Sequence, residues 1–276
     1  YKIDCIYIIG DRLEAYAAAL AAHFLKIKII HFAGGQITNG AIDNIYRYNI
    51  SNLAYLHFVT NTYAVDRLKQ VPIINSNNVF LVGSSAVDNI IIYLKNPRTL
   101  IDLDSRLVRD SYVLMTFHSQ TIGNFNVPKA MDIAIQTVID QGKRVLVTYP
   151  NNDDGSDAII QIIQKWEQHP NIVVVPNLGA KNYYAAIDNS LFVIGNSSSG
   201  IIEVPYFSKF TINIGQRQSG RNAPGSVINT GSDYKLLKST ILDILDHRKI
   251  IPDQEYIYGR GDSIKSIVNI LKTKLI

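Results

Sequence analysis

The residues able to do chemistry in this chain gather in loops that follow short apolar runs. Gly195-Asn196-Ser197-Ser198-Ser199-Gly200 follows Phe192–Ile194 and precedes Ile201-Ile202-Glu203. Backbone N–H groups at the start of a helix, beside three hydroxyls, make a cradle for a phosphate or diphosphate. Taken alone, the same residues also suit an ordinary polar cap. The next such loop, Gly215-Gln216-Arg217-Gln218-Ser219-Gly220-Arg221, favours the cradle, because Arg217 and Arg221 can hold one anion with forked donors. Glu203, one turn into the helix, is placed to accept from a sugar diol such as ribose. Together these residues imply a nucleotide-diphosphate site.

His118 closes the run Tyr112–Phe117, which is expected at a sheet edge facing a cleft. A lone histidine is more often structural, but a phosphate beside it would favour the imidazolium and make it a donor to a leaving group. Asp11 and Arg12 end the first apolar run, Ile6–Ile9, and face the same cleft. Asp43, after Gly34-Gly35, lies at the start of a helical stretch, where the helix dipole favours a carboxylate in any case. Two carboxylates on neighbouring loops can instead divide acid and base work, and the residues alone leave both readings open. Asn151-Asn152-Asp153-Asp154-Gly155 reads as a turn first and a ligand loop second. His23, His57, His169 and His247 show no ligand spacing and read as surface or packing. The single cysteine, Cys5, excludes an internal disulfide and a cysteine-based zinc site, and points to a reducing, cytoplasmic compartment.

Such loops need a scaffold that presents them on one side. Apolar runs at Ile6–Ile9, Ile27–Phe32, Leu56–Val59 and Val79–Val82 alternate with helical stretches at Leu13–Leu25, about 41–54 and Ala64–Gln70. The rhythm resumes with strands at Tyr112–Phe117, Arg144–Tyr149, Ile172–Val175, Phe192–Ile194 and Phe210–Ile214. Strands that are apolar almost throughout predict parallel sheets covered on both faces. The expected architecture is α/β: two Rossmann-like halves, residues 1–83 and 84–256, with the first short of its opening strand, loop and helix. Ligands of such sheets sit at the carboxyl ends of strands, and the cleft between two halves is the default site. The chain has 276 residues, 47% hydrophobic and 18% charged, a globular balance. Its net charge of +4 is too thin for nucleic acid, and no apolar run approaches a membrane span.

The motifs Gly10-Asp11-Arg12-Leu13-Glu14, His31-Phe32-Ala33-Gly34-Gly35, Thr116-Phe117-His118, Pro150 through Gly155, Gly195 to Gly200 with Glu203, Arg217 to Arg221 and Tyr256–Ser263 occur in one order along the chain. In that order they resemble the hydrolysing UDP-N-acetylglucosamine 2-epimerases of sialic and legionaminic acid biosynthesis. The resemblance implies a GT-B pair of Rossmann-like domains, with the final helix, within 257–276, returning to the first. It implies conversion of the UDP-sugar to UDP and the free 2-epimeric hexosamine, with no metal and no cofactor. UDP would be eliminated, the C2 proton lost to give a glycal, and water added at the anomeric carbon. On that basis Asp11 is the leading acid/base and Asp43 the second. Arg12, Ser197, Ser198 and Arg217 would hold the diphosphate, with Ser199, Gly200 and Arg221 in the same cradle. Glu203 would hold the ribose, while Asn151 and His118 face the phosphates.

The pattern is broken at Ala33 and Gln36, where family members often carry an ionisable side chain, and at Gln216, where an aspartate is common. Alanine before Gly-Gly also fits relatives acting on a 2,4-diacetamido sugar nucleotide. A GT-B glycosyltransferase and a non-catalytic UDP-sugar-binding protein are the competing readings. A homo-oligomer, dimer or tetramer, is expected, with no nucleic-acid or membrane partner.

Overall fold

The computed structural model describes residues 3–100, 102–231 and 233–275. They form two compact units. The first comprises the chain up to Ile91, Ser219–Asn222 and the segment from Tyr256 onward; the second comprises Ile92–Gln218 and Ala223–Glu255.

The first unit holds a parallel sheet in the order β1 (Cys5–Ile9), β2 (Lys28–Phe32), β3 (Leu56–Val59), β4 (Val79–Leu81). Interior strand β3 is buried at every position, because helices cover both faces of a parallel sheet. Edge strand β1 leaves Tyr7 and Ile9 exposed. Between the strands run α1 (Leu13–Phe24), α2 (Asp43–Leu53) and α3 (Thr62–Lys69), and α4 (Ser85–Leu94) follows β4. Asn61 starts α3 by accepting the Ala64 N–H at 2.9 Å, which supplies one of the bonds a helix end lacks. The last helix, α10 (Ser263–Lys274), packs Ile267 against Ile30, Phe32, Leu56, Phe58 and Val82. Burial of each such side chain contributes about 1.5–3 kcal/mol.

The second unit is a six-stranded parallel sheet in the order β10 (Val227–Gly231), β9 (Thr211–Ile214), β8 (Val193–Gly195), β5 (Tyr112–Thr116), β6 (Arg144–Thr148), β7 (Ile172–Val174). Helices α5 (Val127–Asp140), α6 (Ser156–Trp166), α7 (Gly179–Asn189), the short α8 (Ser199–Ile202) and α9 (Tyr234–Leu245) connect and cover it. Met131, Ile135 and Val138 of α5 repeat at helical spacing and join Val113, Met115, Val145 and Ile194 of the sheet in one core. Register places Thr116 beside Thr148 and Gly195, and Gly195 beside Asn213. The loops leaving β5, β6, β8 and β9 therefore emerge side by side.

Three features differ from the sequence reading. β5 lies between β8 and β6, so His118 follows an interior strand and not one at a sheet edge. Helix α4 escapes notice because its Ile90-Ile91-Ile92 run looks like a strand. Strand β10 escapes because it is polar at Asn229 and Thr230, which an edge strand tolerates; Asn213 Nδ2 donates to Asn229 Oδ1 at 2.7 Å across the pair.

Candidate active-site residues

In the second unit the organising residue is Asn196, which the sequence reading names only as part of the cradle loop. Its Oδ1 accepts the His118 backbone N–H at 2.7 Å and its Nδ2 donates to the His118 carbonyl at 2.8 Å. This two-way clasp ties the end of β8 to the end of β5. Gly195, at φ +144, is required here, since a Cβ would collide with the Thr116 carbonyl. The Asn196 carbonyl also accepts from Gln218 Nε2 at 3.0 Å and Arg217 Nη1 at 3.3 Å, while Arg217 Nε donates to the Ser119 carbonyl at 3.1 Å. The guanidinium is thereby held on two neighbouring loops.

The His118 ring is fixed in one tautomer. Its Nδ1 accepts the Asn151 backbone N–H at 3.1 Å, so the ring proton sits on Nε2, 3.4 Å from Ser197 Oγ. Burial, and secondarily the Arg217 charge, push its pKa down to about 3. The ring is thus neutral here and is a donor through Nε2–H.

His118, Asn151 and Ser197 border a cavity of about 410 Å³ whose lining also includes Thr116, Thr148 and Glu203. Thr116 and Thr148 share a 2.7 Å hydroxyl–hydroxyl bond across β5 and β6. Glu203 is the one carboxylate of the lining among the described residues. Burial raises its pKa, opposed by the nearby Ser199 and Tyr184 hydroxyls. Ser198 precedes α8, and the Gly200 carbonyl accepts from Thr211 Oγ1 at 2.6 Å. Arg221 falls in the first unit, where it hydrogen-bonds the Tyr258 side chain.

In the first unit the loops after β1 and β2 meet on a residue that the sequence reading missed. Arg47, in the middle of α2, forms a partly buried ion pair with Asp11. Its Nε donates to Asp11 Oδ2 at 2.8 Å and its Nη2 to the same oxygen. Nη1 donates to the Gln36 carbonyl at 2.9 Å and to Asn44 Oδ1 at 2.6 Å, and Nη2 reaches Thr38 Oγ1 at 3.3 Å. Asp43 is the first residue of α2, and the Arg12 guanidinium lies 3.6 Å from Glu14.

His31 lies beneath this cluster. Its Nε2 faces the Gly10 carbonyl at 2.9 Å, and a carbonyl only accepts, so Nε2 carries the proton and Nδ1 accepts from Ser51 Oγ at 2.9 Å. Burial pushes the His31 pKa down to about 4. Gly34 must be glycine, because a Cβ would lie 2.7 Å from Ser51 Oγ and 2.9 Å from His31 Nδ1. Gln36 is buried and donates to Thr60 Oγ1 at 2.6 Å, while its Oε1 has no partner among the described residues. Among the described residues no group of three or more His, Cys, Asp or Glu is placed to hold a metal, and no helix is long and apolar enough to cross a membrane.

Residues 1–272 match the protein family described as UDP-N-acetylglucosamine 2-epimerase. The chain belongs to that family. Relatives of this epimerase-family chain include a UDP-N,N'-diacetylbacillosamine 2-epimerase (hydrolyzing) of Legionella pneumophila, 28% identical over 271 residues, which are 98% of this chain and 71% of the relative. A UDP-N-acetylglucosamine 2-epimerase of Neisseria meningitidis is 30% identical over 261 residues, covering 93% and 67% respectively. Among solved structures, UDP-GlcNAc 2-epimerase from Neisseria meningitidis bound to UDP-GlcNAc superposes with a TM-score of 0.83 at 19% identity, over 98% of this chain and 76% of that one. At that identity the likeness shows the fold: two parallel α/β sheets of the GT-B-like kind.

Proposed function

We propose that this epimerase-family chain takes part in a hydrolysing reaction, converting a UDP-2-acetamido sugar and water to UDP and the free 2-epimer. The observation that carries the reading is the character of the second unit's cavity border. Hydroxyls and a neutral histidine N–H line it, with Glu203 as the one carboxylate of the lining among the described residues, and the Arg217 guanidinium is held nearby on the Asn196 and Ser119 carbonyls. A diphosphate finds donors there, and Glu203 is left to accept from a ribose hydroxyl. Ser197, Ser198, Ser199, Gly200 and Arg217 hold the diphosphate in this reading, and Asn151 backs His118 through its N–H. Arg12 and Arg221 are carried into this reading by the family resemblance alone.

Elimination breaks the bond from C1 to the diphosphate oxygen, and the electron pair leaves with UDP. His118 Nε2–H stabilises the charge that grows on that oxygen. Asp11 takes the C2 proton, and the C–H electrons form the C1–C2 double bond of a glycal. Water then adds its oxygen to C1, and C2 is reprotonated from the opposite face, with Asp43 the second acid/base candidate. The sugar is UDP-N-acetylglucosamine or its 2,4-diacetamido counterpart, the substrates named for the Neisseria and Legionella relatives.

Gln36 favours a second reading, a protein that binds a UDP-sugar without turning it over, because a buried amide moves no proton at neutral pH. Incubating the intact protein with each sugar nucleotide in D2O separates the two. Free UDP, a free hexosamine and deuterium at C2 support the epimerase; tight binding with no UDP released supports the second reading. UDP released only when an acceptor is added would instead indicate a glycosyltransferase.

A further inference from the structure

Arg47 is among the largest fully buried side chains of the protein, and the reaction assigns it no part. Its side chain is 2% exposed and that of Asp11 27%. Burying a guanidinium is costly unless every N–H is met, and here all five are. They go to Asp11 Oδ2 twice, the Gln36 carbonyl, Asn44 Oδ1 and Thr38 Oγ1. One planar group therefore joins the loop after β1, the loop after β2 and the first turns of α2.

The asymmetry of the pair is the informative feature. A forked arginine commonly takes both carboxylate oxygens, one per N–H. Here Nε and Nη2 both converge on Oδ2, and Oδ1 accepts no hydrogen bond among the described residues. A purely structural pair gains nothing from leaving one oxygen bare at a partly exposed edge. A carboxylate that must take a proton needs that arrangement: one oxygen anchored, the other aimed and unoccupied.

We infer that Arg47 is a positioning residue that clamps Asp11 by Oδ2, so that Oδ1 is the oxygen that exchanges the proton at C2 of the substrate. The inference rests on the assignment of Asp11 as the acid/base. Asn44 extends the clamp, because its Oδ1 takes both Nη1 and the Thr38 backbone N–H at 2.9 Å, while its Nδ2 donates to the Thr38 carbonyl at 3.0 Å. Lysine at position 47 would keep the charge and lose the planar fork.

The test is a double-mutant cycle in the intact protein with Arg47→Lys, Asp11→Asn and both together, reading kcat, KM, C2 deuterium exchange and UDP affinity. Arg47→Lys is expected to lower kcat and exchange by about 100-fold, the lower end of the range of acid–base groups, with KM and UDP affinity within about twofold. The double variant is expected to be no slower than Asp11→Asn alone, since Arg47 acts only through Asp11. Multiplying effects, or an Arg47→Lys enzyme with wild-type kcat, would overturn the positioning role while leaving Asp11 in place. An Asp11→Asn enzyme with wild-type exchange overturns the Asp11 assignment and the inference with it. If Arg47→Lys does not fold, Asn44→Ala, which keeps the ion pair, replaces it in the cycle, with a smaller fall in kcat at unchanged KM expected. A multiplicative fall, or none, would count against the clamp.

Discussion

The strand-end clusters of the two units solve opposite electrostatic problems. Around Asp11 a carboxylate is answered by a buried guanidinium, and every donor of that guanidinium is consumed. Around His118 the polar groups are held by neutral bonds, through the Asn196 clasp and the Asn151 N–H, while Arg217 rests on backbone carbonyls. The first cluster is balanced in itself. The second brings hydroxyls, the His118 Nε2–H and the Arg217 guanidinium onto neighbouring loops, and burial keeps the His118 ring neutral. In the proposed function a dianionic ligand meets those donors.

The strongest way to break this comparison is Asp11→Asn. It keeps the shape and removes the base, so turnover is expected to fall by at least about two orders of magnitude while calorimetric UDP affinity holds. Equal losses in both would mean that the first cluster serves binding. His118→Ala should lower kcat by about 10²-fold, the scale of one lost donor to developing charge, and leave UDP affinity nearly unchanged. A rise in KM at constant kcat would make His118 a binding group only.

Arg217→Ala acts on the ground state. UDP binding is expected to weaken by about 1.5–3 kcal/mol, the scale of a charged hydrogen bond, and titration calorimetry reads it directly. An unchanged affinity removes Arg217 from the cradle.

The smallest effect concerns acid stability. His31 and His57 in the first unit are held at about 4, and His118 in the second at about 3, all chiefly by burial. Between those values and the unfolded value near 6.5, the unfolded chain binds protons that the folded chain refuses. Stability from these groups is therefore complete above about pH 6.5 and declines as pH falls, by up to ~1.4 kcal/mol per pH unit for each group. The melting midpoint should be lower at pH 5 than at pH 7.5. His57, whose Nδ1 has no partner, offers the cleanest check: His57→Leu should reduce that difference, and a variant equally acid-sensitive would exclude it as a source.

Much of this frame was legible in the residues. Runs such as Tyr112–Thr116 and Leu56–Val59 announce parallel strands because a strand buried on both faces has no polar position to spare. Once those strands are placed, Asp11, His118, Asn151, Ser197 and Arg217 fall in loops at carboxyl ends without further information. The resemblance to the epimerases rests on those same loops. Position 36 belongs here too: an amide stands there whatever the fold does.

What only the tertiary structure decided is which of these groups touch and in what state. Asp11 and Arg47 are 36 residues apart, and in the sequence Arg47 is one more charge on a helix. Its burial follows from the register of β1 on β2 and from the face α2 turns toward their loops. The His118 tautomer depends on an Asn151 N–H supplied by the next strand over, and its neutrality on how deeply the ring is covered. Arg221, four residues from Arg217, is drawn to Tyr258 in the other unit. Strand and helix patterns are local consequences of a repeat of two or 3.6 residues, and so can be read from neighbours in sequence. Charge pairing, tautomer and pKa depend on distance and burial between residues far apart in the chain, and those exist only once the sheets have closed.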